Sequence, residues 1–267
     1  MARLKIGVQF HPQHTSLAEL RRAWAAADEM GLDSIWVWDH FFPLYGAGEP
    51  YLWPPRGTPT GRHYESWTLL AAMAVDTRRA RIGVLISNIN FRNPDLLADM
   101  ARTVDHLSNG RVILGVGAGN IERDFQEYGY SFEPGRDRLA ALEHGVQRVK
   151  HRLAGLEPPP AGPLPLLIGG SGQKVTLRLV ATYADMWNSF GPPAEYAVQN
   201  AALTEWCRQV NRNPAEIERT VLLDVPAEAA DLGGFIEAGA EHIIVGCAHP
   251  FDLTPMQELQ LAAADAG

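Results

Sequence analysis

The chain has 267 residues, 46% of them hydrophobic, with 31 acidic against 23 basic side chains and a formal net charge of −8. That acidic balance argues against a nucleic-acid surface. Cys207 and Cys247 imply neither a disulfide framework nor a metal cluster. No apolar run reaches the ~18 residues of a membrane span and no signal peptide opens the chain, so a cytosolic protein is expected.

Leu4 to Gln9 reads as a first strand. Ser16-Leu17-Ala18-Glu19 is a capping box opening a helix, with Leu17, Leu20, Trp24 and Ala27 on its inner face and Gly31 at its end. Ser34 to Trp38 is a second strand and carries Asp39-His40 at its end. A long loop rich in proline and glycine, residues 41 to 64, follows; loops of this length are usually functional or disordered. A helix from Glu65 to Asp76 leads into the stretch around which the chain is organised, Arg79 to Glu122.

There, an apolar run containing Ile82, Val84 and Ile86 predicts a buried strand. Asn93 caps a helix and Pro94 sits in its first turn. Leu96, Leu97, Met100, Ala101, Val104 and Leu107 recur at helical spacing, and Asn109-Gly110 stops the helix. Val112 to Val116 is the next strand. Two buried strands joined by a helix run parallel with a right-handed crossover. Their carboxyl ends, Ser87-Asn88 and Gly117-Ala118-Gly119, therefore share the side where a parallel α/β fold places its site.

The alternation continues with a helix over 136–153 and strands at 165–168, 184–188, 220–225 and 242–246. Helices are predicted after Lys174, through Tyr196 to Val210, over 232–238, and from about Thr254. Eight strands alternating with eight helices in one domain over 1–267 fit a closed (β/α)8 TIM barrel, which typically takes about 250 residues. An open doubly wound sheet is the alternative.

Gly169-Gly170-Ser171-Gly172-Gln173-Lys174 joins a strand to a helix. Consecutive glycines admit an anion to the backbone, and the helix offers its free N–H groups, so phosphate binding is expected. The same glycines also suit a tight turn with no ligand. Gly117 to Gly119 would let a flat ring lie against the backbone, with Glu122 three residues on, or serve packing alone. No G-x-G-x-x-G follows the first strand, which excludes a Rossmann fingerprint. His40 is placed for proton exchange near neutral pH, with Asp39 to orient it or to bond a cofactor ring. It reads equally as a structural histidine. His11 and His14 lack a third metal ligand, so no metal is expected. Arg56, Arg62 and His63 mark a candidate lid, and Trp38 and Trp53 candidate pocket walls.

Four segments carry a resemblance: WVWDHFFPLYG at 36–46, ESWTLLAAMAVDTRRARIG at 65–83, FRNPDLLADMARTVDHLSNGRVILGVGAG at 91–119 and PLLIGGSGQKVTLRLVATYADMWN at 165–188. Together they resemble the luciferase-like monooxygenase superfamily, and within it the actinobacterial oxidoreductases that use the deazaflavin coenzyme F420. The resemblance implies a bacterial luciferase-like barrel binding F420, or alternatively FMN, at its carboxyl end. It also implies a small organic substrate and a homodimer.

It further implies a non-proline cis peptide near Leu85-Ile86 behind the ring, beside Ser87 and Asn88. Asp39 and His40 match the family's pair beside the ring, Gly169 to Gly172 its phosphate loop, and Glu122 a recurrent acid. Hydride transfer at the deazaflavin is the implied chemistry, with His40 and Glu122 as acid/base candidates. Flavin-dependent oxygenation, or cofactor binding without turnover, are the alternatives. Many members carry an aromatic residue where this chain has Asn120, and the chain is short for the superfamily.

Overall fold

Which residues of each strand face inward is set by the two-residue period of the strand itself. The computed structural model describes residues 3–51, 55, 57–223 and 231–265. Trp53, Arg56 and the last two residues of the strand expected at 220–225 lie outside the described residues.

The chain opens with β1 (Lys5–Phe10), α1 (Leu17–Met30), β2 (Ser34–Val37) and α2 (Ser66–Asp76). The organising stretch forms β3 (Arg81–Val84), β4 (Ser87–Asn88), α3 (Pro94–Ser108) and β5 (Val112–Gly117). A short α4 (Glu122–Gln126) and a long α5 (Gly135–Ala154) lead to β6 (Leu166–Gly169) and α6 (Thr176–Tyr183). The remainder is β7 (Met186–Ser189), α7 (Pro193–Gln209), β8 (Glu218–Leu223), α8 (Leu232–Glu237), β9 (His242–Cys247) and α9 (Thr254–Asp265).

All strand pairs are parallel, in the order β3-β2-β1-β9-β8-β7-β6-β5-β4, and β3 also pairs β5 through Ile82–Val112 and Gly83–Ile113. That pairing closes the barrel. An open sheet is excluded by it. β3 and β4 are two halves of one barrel strand, interrupted at Leu85-Ile86, whose peptide bond is cis. The third strand, expected to run on through Ile86, is therefore broken. The loop expected after Gly119 also contains α4.

The local signals form as expected. Ser16 accepts from the Glu19 N–H, and the Glu19 carboxylate accepts from the Ser16 N–H, completing the capping box. Asn93 caps α3, and Asn109, in the left-handed region at φ 57°, ends it.

Inside the barrel, Trp36, Ile113, Leu167, Met186 and Ile244 form a buried plug. The indole of Trp36 fits because Gly83 faces it; a Cβ there would come within 2.5 Å of the ring. Below the plug, Ser34 Oγ bonds His242 Nε2 at 2.7 Å and His242 Nδ1 meets Glu218 at 2.9 Å. Burial by itself would raise the Glu218 pKa, but the bonds from His242 and Lys5 outweigh it and hold the carboxyl at about 2. The larger apolar layer lies between strands and helices, where Ile6, Val8 and Phe10 of β1 meet helix residues such as Trp24 and Leu20. Bottom and middle are thus filled, and the open end is the carboxyl end. Among the described residues no helix is long and apolar enough to cross a membrane.

Candidate active site

The carboxyl ends of the strands surround a cavity of about 270 Å³. One part of its wall is strand backbone and small residues: Leu85 and Ile86 at the break, Gly117 to Gly119 after β5, and Gly169 and Gly170 after β6. The other part is side chains: Gln9 of β1, Trp38 and His40 after β2, Tyr51, and Leu222 of β8. Asn120, Ile121 and Asp124 complete the rim.

The glycines have a specific reason. A Cβ at Gly117 would lie 2.2 Å from Ile86 Cδ1, and one at Gly169 would lie 2.6 Å from it. The side chain of Ile86 fills the space that two side chains would otherwise occupy. At Gly119, φ is +72° and a Cβ would meet Asn88 Nδ2 at 2.1 Å. Here glycine is required by conformation and by contact together.

His40 lines the cavity with its side chain 20% exposed, and its Nδ1 lies 2.6 Å from Asp124 Oδ2. The other Asp124 oxygen accepts the Phe41 N–H at 2.9 Å. A carboxylate on Nδ1 fixes the proton there, which leaves Nε2 as the exchanging nitrogen. No partner for Nε2 occurs among the described residues.

Asp39 is adjacent in sequence but does not orient His40. It takes two bonds from the Arg92 guanidinium, at 2.6 and 2.9 Å, one from Ser66 Oγ at 2.7 Å and one from the Asn88 N–H at 3.1 Å. Arg92 also reaches Glu65 at 2.7 Å. Burial disfavours the Arg92 charge, and the bonds to Asp39 and Glu65 more than offset this. Asp39 therefore lines the cavity and there fastens β4 and the start of α2.

Glu122, expected as an acid near the ring, is exposed, accepts from Gln126 Nε2 at 2.6 Å and does not line the cavity. Residues two apart on a helix stand ~200° apart around its axis. α4 thus sends Glu122 to solvent and Asp124 inward. A sequence signal for this exists: Asp124-Phe125 is the inward edge of a short helix, legible once α4 is recognised.

Ser87 is fully buried and accepts from Trp67 Nε1 at 3.0 Å, behind the wall rather than on it. Asn88 lines the cavity, and its Oδ1 accepts from Asn90. Ser171, Gly172 and Lys174 lie ahead of α6, in sequence between the lining residues Gly170 and Thr176, and are not on the cavity wall themselves. The N–H groups of residues 171 to 176 find no acceptor among the described residues, and Val175 supplies no side-chain cap to α6.

Behind Trp38 lies an aromatic and histidine cluster. The His11 ring stacks on Trp38 with centroids 4.1 Å apart, and its Nδ1 bonds the Tyr45 hydroxyl at 2.7 Å. Burial, and then the charge of His40, lower the His11 pKa to about 3. His63 Nε2 accepts from Trp38 Nε1 at 3.2 Å. Burial, followed by His40, lowers its pKa to about 4, against the opposing pull of Asp124. His14 Nε2 bonds the Tyr45 carbonyl at 2.6 Å. His11 and His14 are thus both used to hold the 41–51 segment. Among the described residues no three His, Cys, Asp or Glu side chains are grouped to hold a metal ion. Of the residues expected in a lid, Arg62 is exposed and its carbonyl accepts from the His14 N–H at 2.9 Å.

A family model described as luciferase-like monooxygenase matches residues 2–229. An F420-dependent glucose-6-phosphate dehydrogenase from Amycolatopsis mediterranei is 32% identical over 148 residues, covering 55% of this chain and 41% of that protein. The phthiodiolone/phenolphthiodiolone dimycocerosates ketoreductase of Mycobacterium tuberculosis is 30% identical over 222 residues, covering 74% of this chain and 58% of that protein. The chain spans about half the length of the curated relatives it matches.

Among solved structures, an F420-dependent secondary alcohol dehydrogenase with an F420–acetone adduct superposes with a TM-score of 0.81 at 17% identity, covering 97% of this chain and 98% of that one. The FMN-containing oxygenating constituent of 3,6-diketocamphane monooxygenase from Pseudomonas putida gives 0.71 at 15% identity, covering 98% and 97%. At such identities these two likenesses speak for the (β/α)8 fold. The match over residues 2–229, laid on a closed parallel barrel broken at Leu85-Ile86, makes this chain a member of the luciferase-like monooxygenase family.

Proposed function

We propose that the chain is an oxidoreductase that moves a hydride between coenzyme F420 and a small organic substrate. The observation that carries this reading is His40, with Asp124 on its Nδ1 and its Nε2 unpartnered among the described residues, on a cavity whose facing wall is glycine backbone. Relatives named for F420 dependence support the choice of coenzyme.

The residues present fit such a coenzyme. A Cβ at Gly117 or Gly169 would displace the tip of Ile86, so with glycine there the wall around Ile86 keeps the low profile that a planar ring needs. The N–H groups of 171 to 176, which have no acceptor among the described residues, lie at the positive end of α6 with Lys174 among them and suit its phosphate. When bound, F420 supplies a two-electron hydride acceptor or donor.

The protein supplies the remainder. Leu85, Ile86 and the glycines position the ring. His40 Nε2 takes a proton from, or gives one to, a substrate oxygen, and Asp124 holds the ring tautomer and stabilises the imidazolium. Trp38 and Tyr51 restrict water on the His40 side.

A second reading, an FMN-dependent monooxygenase, is favoured by the likeness to a structure containing FMN. One experiment separates the two: fluorescence titration of the purified protein with F420 and with FMN. Tight binding of F420 and not FMN is expected, and tight binding of FMN alone would replace hydride transfer by oxygen activation. The reading includes a single-domain cytosolic homodimer, whose mass light scattering measures; a monomer mass would remove the dimer from it.

A further inference from the structure

We infer that the cavity selects an uncharged, largely apolar ketone or secondary alcohol and rejects anions such as phosphate monoesters and carboxylates. The inference rests on the hydride-transfer reading of this site. Trp38, whose ring lies 5.7 Å from that of His40, and Tyr51, Ile121, Phe190 and Leu222 give the cavity much of its wall, and its polar lining beyond His40 is mainly neutral: Gln9, Asn88, Asn120, Thr176 and Asn188. Among the described residues the ionisable side chains on it are His40, the phenol of Tyr51 and the carboxylates of Asp39 and Asp124, and no Lys or Arg lines it.

Neighbouring arginines are already committed. Arg92 spans Asp39 and Glu65. Arg123 bonds Glu127 and the Pro59 carbonyl and lies 4.2 Å over the Phe42 ring. Arg138 bonds the Gly119 and Glu133 carbonyls and lies over Phe132.

A phosphate monoester carrying roughly −1.5 to −2 charges would surrender its water here with no lining cation among the described residues to replace it, and would face Asp124. The cost of an unpaired charge against such a wall outweighs what the wall can return. A neutral ketone asks for one donor and an alcohol for one acceptor; His40 Nε2 meets either need according to its protonation. Gln9 adds an acceptor. Its Nε2 donates to the Leu85 carbonyl at 2.5 Å, which leaves Oε1 without a partner among the described residues.

In the oxidative direction the carbinol C–H bond would break, and bound oxidised F420 would supply the two-electron acceptor for the hydride. The O–H bond breaks, its proton goes to His40 Nε2, and the C=O bond forms. The alcohol loses the two electrons that the deazaflavin gains, and ketone reduction is the reverse.

The test uses 4-methylcyclohexanone and 4-oxocyclohexanecarboxylate, which differ chiefly by one charge. Both are titrated calorimetrically into the purified protein and assayed with reduced F420, alongside glucose 6-phosphate. The neutral ketone is expected to bind and to turn over at least tenfold better than either anion. Equal or tighter binding of an anion, or no binding of the neutral ketone, overturns the inference. If F420 neither binds nor is consumed while the ketone still outbinds the carboxylate tenfold, the selectivity stands and the coenzyme reading alone fails. Phe190→Arg adds a cation at a lining position that is 41% exposed. It is expected to narrow the ketone preference at least fivefold; an unchanged ratio would put the ligand elsewhere and overturn the assignment.

Discussion

The two sides of the cavity are built by opposite means. Along β4, β5 and β6 the wall is backbone and small residues, and its shape depends on missing side chains: a Cβ at Gly117 or Gly169 would displace the tip of Ile86, and one at Gly119 would meet Asn88. Along β1 and β2 the wall is large side chains held by one another: Trp38 under His11, His11 against Tyr45, His40 against Asp124. The first side has few degrees of freedom and suits a coenzyme ring that does not change. The second is a set of replaceable side chains on loops, the part of a barrel where chemistry and specificity vary. Substitutions on the two sides should therefore separate binding from turnover.

The largest separation is expected at His40. His40→Ala should lower turnover by about 10²–10⁴-fold, the usual worth of a positioned acid/base, while leaving F420 affinity within a few-fold. Steady-state kinetics with a parallel F420 titration reads both; lost affinity at unchanged turnover would move His40 to the binding side. Asp124→Asn should cost less, about tenfold, and displace the pH–rate profile, since it acts through His40.

On the glycine side, Gly115→Ala and Gly117→Ala should differ. The new Cβ at 115 would lie 2.4 Å from the Val84 carbonyl oxygen, so backbone must move. Overpacking of this kind costs about 1–3 kcal/mol, readable as a lower urea midpoint. At 117 the clash is with the tip of Ile86, 2.2 Å away, which can turn into the cavity. Stability should change by less than about 1 kcal/mol, while F420 affinity falls. Equal affinity losses without a stability difference would refute the distinction.

A further effect, on stability and not on the division between binding and turnover, is expected in acid. His11 is held neutral in the folded protein down to about pH 3, whereas an unfolded histidine protonates near 6.5. Between those values the unfolded chain binds the extra proton, so stability falls as pH falls, by up to about 1.4 kcal/mol per pH unit. His63, held neutral down to about pH 4, adds to the slope in the upper part of that window. His11→Gln should flatten the stability slope between pH 6 and pH 4, measured by urea denaturation; an unchanged slope would assign the acid sensitivity to other groups.

Apart from α4 and the two-part third strand, the elements and their order were legible in local sequence. The Ser16 capping box, the Asn93-Pro94 start, the Asn109-Gly110 stop and the short apolar strands are local patterns, and local sterics and hydrogen bonding suffice to express them. The carboxyl-end loops followed from strand direction alone. Which side chains meet across that end is settled by long-range closure. His40 finds Asp124, 84 residues away, and Asp39 finds Arg92, 53 residues away. Those pairings, like the filling of Gly117 and Gly169 by Ile86, exist only after β3 joins β5 and closes the barrel. No local spacing encodes such a meeting, because it depends on the register and tilt of every strand between the two partners.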